Sequence, residues 1–157
     1  MVVPNSSIER EVLIDAPLEV VWSIVTGPEH IGRWLSDSAE VDLRPGGELV
    51  LRWDRLSGPT RGTVERVERP YLFSFRWVTA EPDRDPSALE GHPLLVEFLL
   101  RAEGEGTLLR VVESGFASLD GTEEQNAELA ARHTGGWGTF LDQLVGYVST
   151  VDVSARR

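Results

Sequence analysis

A chain of 157 residues with 41% hydrophobic and 26% charged residues has the length of about one domain and the composition of a globular one. Its 26 acids stand against 15 bases, every one an arginine, for a net charge of −11; such a surface repels phosphate backbones and anionic bilayers, which excludes nucleic acid as a partner. The sequence has no cysteine, so disulfides, thiolate nucleophiles and thiolate-held metals are all excluded, and a reducing cytoplasm is the expected location. No apolar run approaches the roughly 20 residues that span a bilayer, so no membrane insertion is expected. One domain over 1–157 is expected, with an ordered core over about 8–148.

Ile8 to Ile14 alternates in a way that suits a first strand. Asp15-Ala16-Pro17 stops it and opens a helix whose buried stripe is Val20, Val21, Ile24 and Val25, with Gly27 as its end. Pro28 begins a second short helix, with Ile31, Trp34 and Leu35 on one face. From Ser38 the period becomes two: strands over Ala39 to Leu43, Glu48 to Trp53, Arg61 to Val67 and Tyr71 to Trp77, with Pro45-Gly46-Gly47, Ser57-Gly58-Pro59 and Arg69-Pro70 as turns. Thr79 to Pro93 is the longest irregular segment and the expected lid. Strands over Leu94 to Arg101 and Thr107 to Ser114 follow, joined at Glu103 to Gly106. Thr122-Glu123-Glu124-Gln125 caps a helix that runs to about Val148, with Gly135, Gly136 and Gly138 predicting a kink or a close backbone approach at its middle.

The predicted architecture is α+β: a seven-stranded curved antiparallel sheet around a long C-terminal helix, with two short helices after the first strand. Four stretches carry a family resemblance: Ile14 to Trp22; Ile31-Gly32-Arg33-Trp34-Leu35 with Arg44-Pro45-Gly46-Gly47; Val112-Glu113-Ser114-Gly115-Phe116; and Gly136 to Leu141. With these the chain resembles the START-like (SRPBCC) superfamily with its helix-grip fold, and within it the bacterial proteins related to the C-terminal domain of the activator of heat-shock-protein-90 ATPase. The resemblance implies a cavity for hydrophobic, aromatic or lipid-like molecules, used in some members for transport or sensing and in others for chemistry. The eukaryotic activator carries a separate N-terminal domain that does much of the chaperone binding; with a first strand at about Ile8 no room for it is expected, which argues against chaperone activation as the main role.

Strand parity puts Phe73, Phe75 and Trp77 on one face together with Tyr71, and groups Val96, Phe98 and Leu100, then Leu109, Val111 and Glu113. Aromatic stripes of this kind are ordinary core as well as cavity wall. The expected ligand-binding residues are Trp53, Phe75, Trp77, Phe98, Val111, Glu113, His133, Trp137 and Leu141. Glu113 and His133 are the catalytic candidates: Glu113 shares the face of Leu109 and Val111, and His133 lies one turn before Trp137 on the long helix, so the two meet across the cavity unless they sit at a solvent rim. If Glu113 were merely desolvated there, Glu113→Gln would be neutral or stabilising.

His30, His92 and His133 stand apart, so no metal and no cofactor are expected. No nucleophile elbow, phosphate-binding loop or dinucleotide fingerprint occurs. Three functions remain, in order of expectation: binding of a small apolar or aromatic molecule, a cyclase- or dehydratase-like step with Glu113 and His133 as acid and base, and a chaperone-associated interaction module. The sequence leaves a protein partner and a homodimer open.

Overall fold

The computed structural model of the chain describes residues 7–79, 93–119 and 121–151. Strand β1 (Ser7–Ile14) is followed by helices α1 (Leu18–Thr26) and α2 (Pro28–Trp34), then by β2 (Ser38–Val41), β3 (Glu48–Arg52), β4 (Thr60–Glu68), β5 (Leu72–Trp77), β6 (Leu94–Glu103) and β7 (Gly106–Ser114), a 3-10 turn (Phe116–Ser118), and helix α3 (Glu123–Val148). The strands form one antiparallel sheet in the order β1-β7-β6-β5-β4-β3-β2, curved around α3 as in a helix-grip fold.

Local chemistry explains the bends. The β2–β3 turn needs glycine twice: Gly46 has φ +84°, and a Cβ on Gly47 would lie 2.0 Å from the Asp42 carbonyl oxygen. In β4, Gly62 sits opposite Trp77, and a side chain on it would press into the Arg76 carbonyl at 2.3 Å; the ladder slips once between Val64 and Arg66. Helix α3 starts on a full capping box, with the Thr122 hydroxyl accepting from the Gln125 amide and the Gln125 side chain accepting from the Thr122 amide.

The two short helices bury Val20, Val21, Ile24, Val25, Ile31 and Trp34 against the sheet. Beneath α3 the rings of Phe73, Phe75, Phe98 and Trp34 interlock, Phe75 meeting Phe98 edge to face at 5.8 Å. On the outer surface arginines are neutralised across neighbouring strands, Arg52 by Glu40, Arg61 by Glu48 and Arg76 by Glu65. These exposed pairs are each worth only about 0–1 kcal/mol. No helix among the described residues is long and apolar enough to cross a membrane.

Four expectations are corrected. Tyr71 precedes β5 and is 59% exposed, because the chain is still turning there, its amide donating to the Glu68 carbonyl at 2.8 Å. β2 ends at Val41 and leaves Leu43 exposed. Pro17, expected in the first turn of α1, sits at its N-cap, and the helix begins at Leu18. Helix α3 runs through its glycines without a break; a Cβ at Gly135 or Gly136 would meet nothing within 4 Å, whereas one at Gly138 would come 3.4 Å from the Arg10 guanidinium, so Gly138 alone of the three is approached, and by a side chain instead of a backbone. The lid expected over Thr79 to Pro93 falls mainly on residues 80–92, outside the described residues, as does His92.

Candidate functional site

Strand β7 turns Leu109, Val111 and Glu113 toward the interior, and the ladder seats Glu113 between Ile8 of β1 and Val96 of β6. Its residue is 0% exposed. A carboxylate so placed needs donors, and three elements supply them. From β5, Trp77 Nε1–H donates to Oε2 at 2.7 Å. From α3, Trp137 Nε1–H donates to Oε1 at 2.9 Å, and His133 Nδ1 lies 2.8 Å from the same oxygen.

An indole N–H only donates, so both carboxylate oxygens act as acceptors. The result is a clamp that ties two strands to the helix. It also orients aromatic surfaces: the Trp77 and Trp137 rings stack at 5.8 Å and 25°, and Phe116 holds the His133 ring edge to face at 5.4 Å and 90°. The His133 side chain keeps 11% of its surface, so of this pair it is the member within a ligand's reach.

Above the clamp lies a cavity of about 350 Å³, near the lower bound of roughly 300–1,000 Å³ for ligand pockets. Trp77 and Trp137 form its floor, half-buried Trp53 and Phe140 its sides, and Arg55 and Arg132 stand among its lining residues with His133, Leu56, Thr60, Thr79 and Gly136. A wider trough of about 1020 Å³ adjoins it, between α2 and the face of α3 that carries Gly136, Phe140, Gln143 and Tyr147. Trp53, Arg55, Gly136 and Phe140 border both spaces.

The walls are fixed. Trp53 Nε1–H donates to the Leu35 carbonyl at 2.9 Å, and His30 Nδ1 and the Tyr147 hydroxyl, 2.6 Å apart, join α2 to α3.

Of the nine residues expected from sequence, Trp53, Trp77, His133 and Trp137 line the inner cavity, and Glu113 lies beneath them. Phe75, Phe98, Val111 and Leu141 are not lining residues: they are buried in the core, because parity selects a face and not a depth along it. Glu113 and His133 are brought together, and the alternative of a solvent rim is overturned for Glu113 by its burial. The sequence reading missed Phe140, Arg55, Leu56, Thr60, Thr79 and Arg132 as cavity residues and noted Gly136 for a different reason. Phe140 had a signal, lying one helical turn from Gly136; the residues of the β3–β4 turn had none. Among the described residues no group of three or more His, Asp or Glu could hold a metal.

Comparison with known proteins gives a consistent picture. The family model described as Activator of Hsp90 ATPase homolog 1-like protein matches residues 15–149. The crystal structure of CalU16 from Micromonospora echinospora is 30% identical, with a TM-score of 0.65, covering 94% of this chain and 81% of that one. Protein MLL2253 from Mesorhizobium loti is 24% identical at a TM-score of 0.76, covering 94% and 99%. The Aha1 dimer from Colwellia psychrerythraea is 17% identical at 0.67, covering 88% and 92%. The last two likenesses carry the fold alone. No curated protein matches the chain. With most of its length matched by the family model and the fold shared over nearly all of it, the chain belongs to the family of Activator of Hsp90 ATPase homolog 1-like proteins.

Proposed function

We propose that the chain, as a single cytoplasmic domain, binds a small aromatic or apolar molecule in the cavity between the sheet and α3. The observation that carries this reading is the pinned aromatic lining. Trp77 and Trp137 are held by Glu113 and Trp53 by Leu35, so the rings border a space of about 350 Å³ and are oriented before any ligand arrives. Preorganised walls lower the ordering entropy that binding has to overcome. Native mass spectrometry of the gently purified chain is expected to find a small molecule travelling with it, and its return to stripped protein should change tryptophan emission. An emission that ignores every apolar ligand tried, together with a bare mass, refutes the reading.

One observation favours a second, enzymatic reading. A buried carboxylate against Nδ1 of a partly exposed histidine fixes the ring and supports a proton on that nitrogen, the arrangement used to hold a histidine as acid or base. Glu113 itself is out of contact with any ligand, so His133 would carry the proton. In this reading the bound molecule is converted to a product of different mass, and both His133→Ala and Glu113→Gln stop that conversion while the chain stays folded. Binding unaccompanied by conversion sustains the first reading.

A further inference from the structure

We infer, resting on the cavity-binding reading, that the molecule bound is an organic anion: an aromatic or apolar body bearing one carboxylate, sulfonate or phosphate that Arg55 meets at the cavity border. The charge distribution points there. In a chain with 26 acids against 15 bases, the inner cavity is lined by Arg55 and Arg132 and by no aspartate or glutamate among its described lining residues. The outer trough is mixed, with Asp37 and Asp54 lining its wall together with Arg33 and Arg55. An anion is therefore favoured in the inner space, where the formal charges of the described lining are all positive, over the outer one, where they balance.

Arg55 also differs from the arginines of the sheet. Arg52, Arg61 and Arg76 are each neutralised by a glutamate on the adjoining strand, whereas among the described residues Arg55 makes no hydrogen bond or ion pair. Its backbone position is firm: it follows Trp53, pinned to Leu35, and Asp54, whose amide donates to the Asp37 carboxylate at 2.6 Å. Arg55 is exposed at the border of the cavity, so its attraction for an anion is greatest at low salt and is screened as salt rises. The aromatic floor beyond it offers stacking to the body of the ligand, with Arg132 and His133 as the other basic side chains of the described lining, and Arg55 takes the acid group at the border.

Two probes that share one aromatic body separate the anion inference from the cavity reading beneath it. 8-Anilinonaphthalene-1-sulfonate and N-phenyl-1-naphthylamine differ by a single sulfonate, and both are titrated into the full chain while probe emission and tryptophan quenching are followed. The sulfonate is expected to bind about tenfold tighter at low salt, with the advantage shrinking as ionic strength rises. Arg55→Gln, with its fold checked by circular dichroism, should bring the ratio of the two affinities to within about twofold. Equal affinities in the unaltered chain, or a ratio that Arg55→Gln leaves standing, overturn the anion inference and leave cavity binding intact. If neither probe binds, the anion inference is overturned as well, and the native mass of the purified chain then decides the cavity reading.

Discussion

Two neighbouring stripes of α3 meet the protein in opposite ways. Leu129, Trp137, Leu141, Leu144 and Val148 are buried to 4% exposure or less, while Gly136, Phe140, Gln143 and Tyr147, next to them on the helix surface, border open space. Successive residues on a helix point about 100° apart, so both stripes belong to one rigid element at one distance from the sheet. What separates them is side-chain volume and anchoring. On the first stripe large side chains fill the gap. On the second, Gly136 supplies nothing, and the surrounding rings cannot collapse into the gap because hydrogen bonds to Glu113 and to Leu35 hold them. A cavity persists where its walls are pinned by something other than the cavity itself.

The strongest way to break that contrast is to remove the clamp. Glu113→Ala strands two indole N–H groups and a histidine in the interior and is expected to cost about 3–5 kcal/mol, read from guanidinium unfolding; a loss under about 1 kcal/mol would mean that the buried stripe stands without it. Glu113→Gln should cost about 1–3 kcal/mol. The amide NH₂ must face Trp77 on one oxygen site, or Trp137 and His133 on the other, and either way a donor meets a donor. This reverses the neutral or stabilising effect expected when Glu113 is treated as merely desolvated.

Next in size comes the helix side of the clamp. His133→Ala should lose on the order of 1–3 kcal/mol, and combining it with Glu113→Gln should lose less than the sum, because the two changes break one shared bond. Strictly additive unfolding energies would uncouple the pair.

The open stripe predicts a change of the opposite sign. Gly136→Ala has room for its Cβ and should stabilise α3 by about 0.5–1 kcal/mol through helix propensity. Gly136→Leu projects a side chain toward both spaces and should abolish binding of the aromatic probes at nearly unchanged thermal stability. Probe binding that survives Gly136→Leu would locate the site elsewhere.

The smallest effect lies far from both stripes. The Arg110 side chain hydrogen-bonded to exposed Glu9 holds that carboxyl below its ordinary value of 4.5. A carboxylate lowered in the folded state adds stability that is present above the unfolded value and is lost as pH falls through the folded one. The melting temperatures of the wild-type chain and Glu9→Gln should therefore coincide in strong acid and separate slightly above pH 4.5, and added salt should close the gap.

The sequence carried the order and kind of the elements because each has a local cause. Alternation marks β5 to β7, Thr122 with Gln125 marks the start of α3, and Pro45-Gly46-Gly47 marks the β2–β3 turn. The meeting of Glu113 and His133 was legible too, since parity orients a strand residue and the helical turn orients its partner. Cavity membership was less so. Phe75 and Phe98 share Trp77's side of the sheet yet lie deep in the core, and a period of two contains no information about depth.

Sequence alone therefore determined the sheet, the gripping helix and the inward carboxylate, all of which follow from residue type and short-range periodicity. Only the tertiary structure decided that Trp77 joins Trp137 on the same carboxylate, that Gly136 opens a space instead of bringing backbones together, and that Arg55 from the β3–β4 turn borders the same cavity as α3. Those facts depend on how the curvature of the sheet sets distant segments against one helix, and a void is defined by atoms that are absent, which no local pattern of residues records.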